Sequence, residues 1–133
     1  MLDDGSESIA QFVGVSLDCA DPHLLADFYL KLLGGQMLWR SADSAGIRVP
    51  GVVLAMHHVD GHRPAWPGSS VVHLDLTTGE EVEHAAARAV EIGAVLAQDQ
   101  PDPRWRVLLD PAGHPFCITT MTPTDQPSTG EQN

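Results

Sequence analysis

Leu108-Leu-Asp-Pro-Ala-Gly-His-Pro-Phe-Cys-Ile118 reads as two short apolar strands joined by a tight turn. Asp110-Pro-Ala-Gly113 has turn chemistry: an Asp that can bond its own backbone, a Pro that fixes φ, and a Gly with the backbone freedom a turn needs. After the turn, Phe116 and Ile118 flank Cys117. A strand there sends both apolar side chains to one face and the thiol to the other. Trp105–Asp110 is strand-like as well, so Trp105 to Met121 reads as a hairpin.

Upstream, Val72, Leu74 and Leu76 alternate with His73 and Asp75, which predicts a half-buried strand. Thr78 and Glu81 have capping-box spacing and predict a helix that carries Val82, Ala85, Ala86, Ala89 and Ile92 inward to Gly93. Ala94–Ala97 is a further strand. Earlier in the chain the order is the same. Val13, Val15 and Leu17 alternate with Gly14, Ser16 and Asp18. Asp21-Pro22 then supplies an N-cap and a first-turn proline. Leu24, Leu25, Phe28, Tyr29, Leu32 and Leu33 have helical spacing, and Gly34-Gly35 ends the helix. Strands are expected at 36–41, 47–49 and 52–59.

Strand, helix, glycine and strands therefore occur twice, with the helix-ending Gly34 and Gly93 spaced 59 residues apart. Such self-similarity predicts duplicated units. The expected fold class is α+β: two βαβββ modules, about 10–60 and 70–121, in one domain spanning 10–121. His62–Ser69, with two prolines, reads as the connector. Residues 1–9 and 122–133 are expected to be flexible tails, because 122–133 has no large apolar residue with which to offset ordering.

Net charge is −11, from 18 acidic and 7 basic residues among 133. That field repels polyanions, so nucleic acid and anionic membranes are excluded as partners. No apolar run approaches the roughly 20 residues of a membrane span, and Met1–Ser8 lacks the features of a secretory signal. Cys19 and Cys117 make no disulfide framework, so a cytoplasmic location is expected. The sequence has no Gly-rich phosphate loop, no G-x-S-x-G, no H-E-x-x-H and no C-x-x-C.

The phrases Val71–Leu76, Asp27-Phe-Tyr-Leu-Lys-Leu-Leu-Gly34 and Leu108–Ile118 together resemble the glyoxalase/bleomycin-resistance/extradiol-dioxygenase superfamily, also called vicinal oxygen chelate, in its glyoxalase-like branch. The resemblance covers about residues 10 to 120. It implies a cupped mixed sheet with one helix per module on the convex face. It also implies a divalent metal on the concave face, bound by the first and last strands of each module.

Carried onto this chain, the second module's first-strand position is His73 and its last-strand position is Cys117. The first module's first-strand position is Gly14 or Ser16, depending on whether helix ends or helix starts are superposed. Its last-strand position falls near Ala55 or His57. The expected metal set is therefore His73, His57 and Cys117, with Asp75 or Asp18 as substitutes of suitable parity. Zinc, iron, nickel and manganese are the metals to consider, and two histidines with a thiolate suit zinc.

Trp39, Trp66 and Trp105 are expected to be walls for a flat ligand. Arg48 and Arg106, with Arg104, are expected to recognise a carboxylate or phosphate. His114 reads as a structural residue of the hairpin, and His23, His62 and His84 as exposed.

Two functions stay open. One is a metal-dependent lyase, isomerase or dioxygenase with a degenerate metal site. The other is a metal-free protein that binds a drug or metabolite, as the antibiotic-sequestering members of the superfamily do. Both take a small-molecule ligand, and a homodimer is expected because exposed sheet edges and clefts want a partner.

Overall fold

The computed structural model describes residues 12–61 and 73–120. Chain order is β1 (Gly14–Cys19), α1 (Pro22–Leu33), β2 (Gln36–Arg40), β3 (Ser44–Val49), β4 (Val52–His58), β5 (Leu74–Thr77), α2 (Val82–Glu91), β6 (Val95–Leu96), β7 (Trp105–Leu109) and β8 (Pro115–Thr119). Two four-stranded mixed sheets result, ordered β1-β4-β3-β2 and β5-β8-β7-β6. The orders are the same topology twice. In each, the first strand runs parallel to the last and the remaining pairs are antiparallel. The two βαβββ modules expected from the repeat are present. The expected tails and the connector with Trp66 lie outside the described residues.

Helix α1 begins as its sequence dictates. The Asp21 carboxylate accepts from Leu24 N–H at 3.1 Å and Pro22 occupies the first turn. It ends where Gly34, at φ 77°, donates its N–H to Leu30 C=O at 2.8 Å. Leu25, Ala26, Phe28 and Tyr29 are buried against the first sheet.

The second helix departs from its expected start. Thr78 and Glu81 do not form a capping box: α2 begins at Val82, and Glu81 at its N-cap makes no side-chain cap bond. The Thr78 hydroxyl instead accepts from Glu80 N–H at 3.2 Å, closing a local turn. The Glu80 carboxylate turns to His84 and Arg88. Three to four residues before a helix, a short polar side chain serves turn and cap alike, and here the turn prevails.

Each helix covers one face of its own sheet, and these two covered faces share one core. Phe28 and Tyr29 of α1 reach Phe116 of β8 at ring-centroid distances of 5.9 and 6.3 Å. The Tyr29 hydroxyl donates to Asp110 at 2.7 Å, across the module boundary. Each of these rings, fully buried, contributes roughly 1.5–3 kcal/mol of transfer free energy. Alternation sends the other side chains to the opposite face of both sheets, where among the described residues several are exposed. Ser16, Asp18, His57, His73, Asp75 and Thr77 are all exposed there.

Candidate functional site

Register places every open-face residue. Across the first sheet the rows are Asp18–His57–Ser44, then Ser16–Ala55–Gly46, then Gly14–Val53–Arg48–Gln36. Across the second they are Thr77–Thr119–Trp105 and Asp75–Cys117–Val107, with His73 one step before β5 on the same parity. Matching the parallel pairs of the two modules makes Gly14, Ser16 and Ala55 the counterparts of His73, Asp75 and Cys117.

The second sheet gathers metal-ligating atoms. His73 Nδ1 lies 3.3 Å from Asp75 Oδ1 and 4.0 Å from Cys117 Sγ. The three donor atoms all fall within 4.8 Å of one another, and among the described residues this is the one such group. Donors bound 2.0–2.3 Å from a tetrahedral zinc sit about 3.3–3.8 Å apart, so small side-chain adjustments would seat an ion. Burial pushes the Cys117 thiol up to about 11, with the Asp75 charge adding to the effect. Without a cation the sulfur is therefore a neutral thiol and a poor nucleophile.

The first sheet brings no donors to the corresponding places. Gly14 cannot be replaced by a ligand without moving backbone, because a Cβ there would stand 2.4 Å from Val53 O. Gly46 is occupied from above: the Trp39 indole lies where its Cβ would be, and the indole N–H donates to Ser44 Oγ at 2.9 Å. His57 is exposed in β4 and is not in the group of His73, Asp75 and Cys117. Asp75, expected only as a substitute, takes the third place. Its two-residue spacing from His73 on one strand puts both on one face, which is the signal that favours it.

The other expected ligand residues divide. Trp39 and Trp105 both lie on open faces, but of different sheets. Trp105 is capped by Arg104, whose guanidinium carbon is 5.2 Å from the ring centroid and which is bidentate to Asp102. Arg106 faces the helix side, paired with Glu83 of α2 and bonded to the carbonyls of Pro103 and Trp105. It is a strut between β7 and α2, not an open-face residue. Arg48 stands exposed on the first open face. Trp66 lies outside the described residues.

Two structural roles stand out. His114 Nε2 lies 2.5 Å from Asp18 O and ties the β7–β8 turn to β1. Asp110 is 2% exposed and accepts from Tyr29, Ala112 N–H and His114 N–H. The turn composition revealed the last two bonds, whereas the bond to Tyr29, 81 residues away, leaves no local signal.

A manganese-type site is a poor fit to this chemistry. Manganese suits carboxylate, carbonyl and water ligands, whereas a thiolate beside an imidazole suits zinc. This matters in light of the solved structures that the chain resembles. The fosfomycin resistance protein FosX of Listeria monocytogenes, complexed with Mn(II) and 1S,2S-dihydroxypropylphosphonic acid, matches at 15% identity and TM-score 0.71 over 92% of this chain and 99% of that one. A glyoxalase/bleomycin resistance protein/dioxygenase family enzyme from Burkholderia phytofirmans matches at 17% and 0.66, over 81% and 97%. A glyoxalase-related enzyme from Fulvimarina pelagi matches at 24% and 0.61, over 83% and 88%. At these identities the likeness is one of fold. The model of the glyoxalase-like domain matches residues 14–119, through both modules. The chain therefore belongs to the glyoxalase-like domain family.

Proposed function

We propose that this chain binds a small organic ligand on its open sheet faces and holds zinc on the second sheet through His73, Asp75 and Cys117. The carrying observation is the convergence of three donor atoms of different chemistry within 4.8 Å on an exposed face. Three protein ligands leave a tetrahedral ion one open position, the arrangement of catalytic zinc sites. A bound cation there supplies Lewis acidity toward ligand oxygens, which suits lyase, isomerase or dioxygenase chemistry. Asp75, 76% exposed at its side chain, is accessible to move a proton if the ion takes only His73 and Cys117.

Metal analysis of protein purified without a His-tag tests this, together with cobalt(II) titration. We expect about one zinc per chain and a sulfur-to-cobalt charge-transfer band, by the thiolate preference for such ions. Cys117→Ser should lose the band, and His73→Ala should lose the bound metal. A protein that takes up neither metal sinks the reading.

The second reading, metal-free ligand binding, is favoured by one observation. The first sheet replaces the three donors with Gly14, Ser16 and Ala55 and lays an indole beside them. Quenching of Trp39 fluorescence by planar ligands in chelator-treated protein supports it. Absence of quenching across a panel of planar and cationic drugs counts against it.

A further inference from the structure

Arg48 is a guanidinium that the fold leaves without a carboxylate. Of the five arginines among the described residues, Arg40 pairs with Asp27, Arg88 with Glu80, Arg104 with Asp102 and Arg106 with Glu83. Arg48 has no ion pair and no side-chain hydrogen bond among those residues. With 18 acidic side chains for 7 basic ones, partners are plentiful in this chain. The backbone at Arg48 is nonetheless fixed. It sits opposite Gln36 of β2 on one side and Val53 of β4 on the other.

Beside Gln36, the groove next to that charge has apolar walls. Arg48 lines a groove of about 710 Å³ at the β3–β4 turn, with Val52, Val53, Phe12 and Val13. Phe12 and Val13 are 75% and 73% exposed, the two most exposed large hydrophobic residues described. Gly14 is in register with Val53 beside the groove, and a Cβ there would stand 2.4 Å from Val53 O, so no side chain projects from that position. An isolated exposed apolar residue needs no explanation, but two beside an unpaired guanidinium form a complementary pair of features.

We infer that this groove binds an organic carboxylate with an apolar body of one or two rings. The carboxylate takes the planar fork of Arg48 bidentately, and the body lies on Phe12, Val13 and Val53. The volume falls within the range of small-molecule sites. A bare anion uses the charge and wastes the apolar walls, and a neutral hydrocarbon leaves the guanidinium partly desolvated and unpaired. The inference rests on the reading of the open sheet faces as the ligand surface, and it does not involve the metal.

The test uses 1-naphthylacetate and its neutral counterpart 1-naphthylacetamide, titrated into chelator-treated full-length protein by calorimetry and protein-observed NMR. The acid should bind, and Arg48→Gln should weaken it roughly tenfold or more, as loss of a charge-assisted bond does. Arg48→Lys should recover part of the affinity, and Phe12→Ala should weaken it severalfold. The amide should bind weakly and equally to parent and Arg48→Gln. Both side chains are exposed, so circular dichroism should show the variants folded. Equal affinity of acid and amide, or no effect of Arg48→Gln, overturns the inference. So does acetate or phosphate binding as tightly as the naphthyl acid, which marks a bare anion site. Loss of a dimer in Arg48→Gln, with the naphthyl acid competing against that dimer, also overturns it by making a second copy the occupant. If planar ligands still quench Trp39 while any of these holds, the ligand-surface reading stands and only the Arg48 groove falls.

Discussion

Asp110 joins the two modules through a single carboxylate. One oxygen accepts from Ala112 and His114 N–H at 2.9 and 3.0 Å, and the other accepts from the Tyr29 hydroxyl at 2.7 Å. Burial raises its pKa above the ordinary carboxylate value of 3.8, and the bond from Tyr29 is the largest influence in the other direction. A raised folded-state pKa means that Asp110's contribution is complete below 3.8 and is lost as pH rises through the raised value. Tyr29→Phe removes the bond that best supports the charged form, so it enlarges that loss. We therefore expect Tyr29→Phe to cost about 1.5–3 kcal/mol once pH has passed the raised value and the acceptor is charged, in the range for bonds to charged groups. The deficit should be smallest near the acid end of that window and grow with pH. Urea unfolding of both proteins across this window checks it, and a deficit that is flat or shrinks with rising pH contradicts it. Asp110→Ala, which strands three donors, should cost more than Asp110→Asn, which keeps Oδ1 for the two turn N–H groups. Here the sequence disclosed the turn and not the tether. Asp-Pro-Ala-Gly is local chemistry, whereas which side chain meets Asp110 depends on how the helix-bearing faces dock.

Elements were largely legible because periodicity is a property of short windows. Leu17 and Cys19 against Ser16 and Asp18, and Phe116 and Ile118 against Cys117, fall on the faces that alternation assigns. The same parity put His73 and Cys117 on one face. The row in which β5 meets β8 also decides the local group, and pairing register is not written in either strand alone. His57 was expected to join them from the first module's last strand, which depends on how the two sheets face each other and is written in neither strand; it pairs with Asp18 on the first sheet and is not in the group. The Gly14–Val53 approach is a second consequence of register. Gly14→Ala should destabilise by about 1–3 kcal/mol, because its Cβ meets backbone that cannot step aside. Gly46→Ala presses on the Trp39 ring, which can swing outward, so its cost should be smaller. Its sign should be a shift of tryptophan emission toward that of a solvated indole. Equal destabilisation by the two, with unchanged emission in Gly46→Ala, would show that Trp39 does not rest on Gly46.

Among the described residues, each sheet keeps exposed side chains on the face away from its helix. Within each sheet, β1 and β5 have a neighbour on one side only. No helix among the described residues is long and apolar enough to cross a membrane, so neither face is explained by a spanning helix. We propose that a second copy covers them. Two-fold pairing is the commonest closed assembly, and it can set the first sheet of one chain against the second sheet of its partner twice over. That pairing would also close an open face over His73, Asp75 and Cys117 with the face that carries the small side chains of Ser16 and Ala55, beside the Trp39 indole that rests on Gly46. Ser16→Arg is the decisive variant. Its side chain is exposed in one chain, so the fold should survive, but a guanidinium inserted in the interface should drive light scattering toward the monomer mass. Charge supplies an independent check. Each chain carries −11, so two copies repel through solvent at low salt. Screening shortens the reach of that repulsion from about 30 Å at 0.01 M to about 8 Å at 0.15 M. The dimer fraction should therefore rise with ionic strength over this interval. A monomer at every salt and protein concentration removes the pairing. A dimer that instead dissociates with salt would place its contacts on ion pairs, not on these open faces.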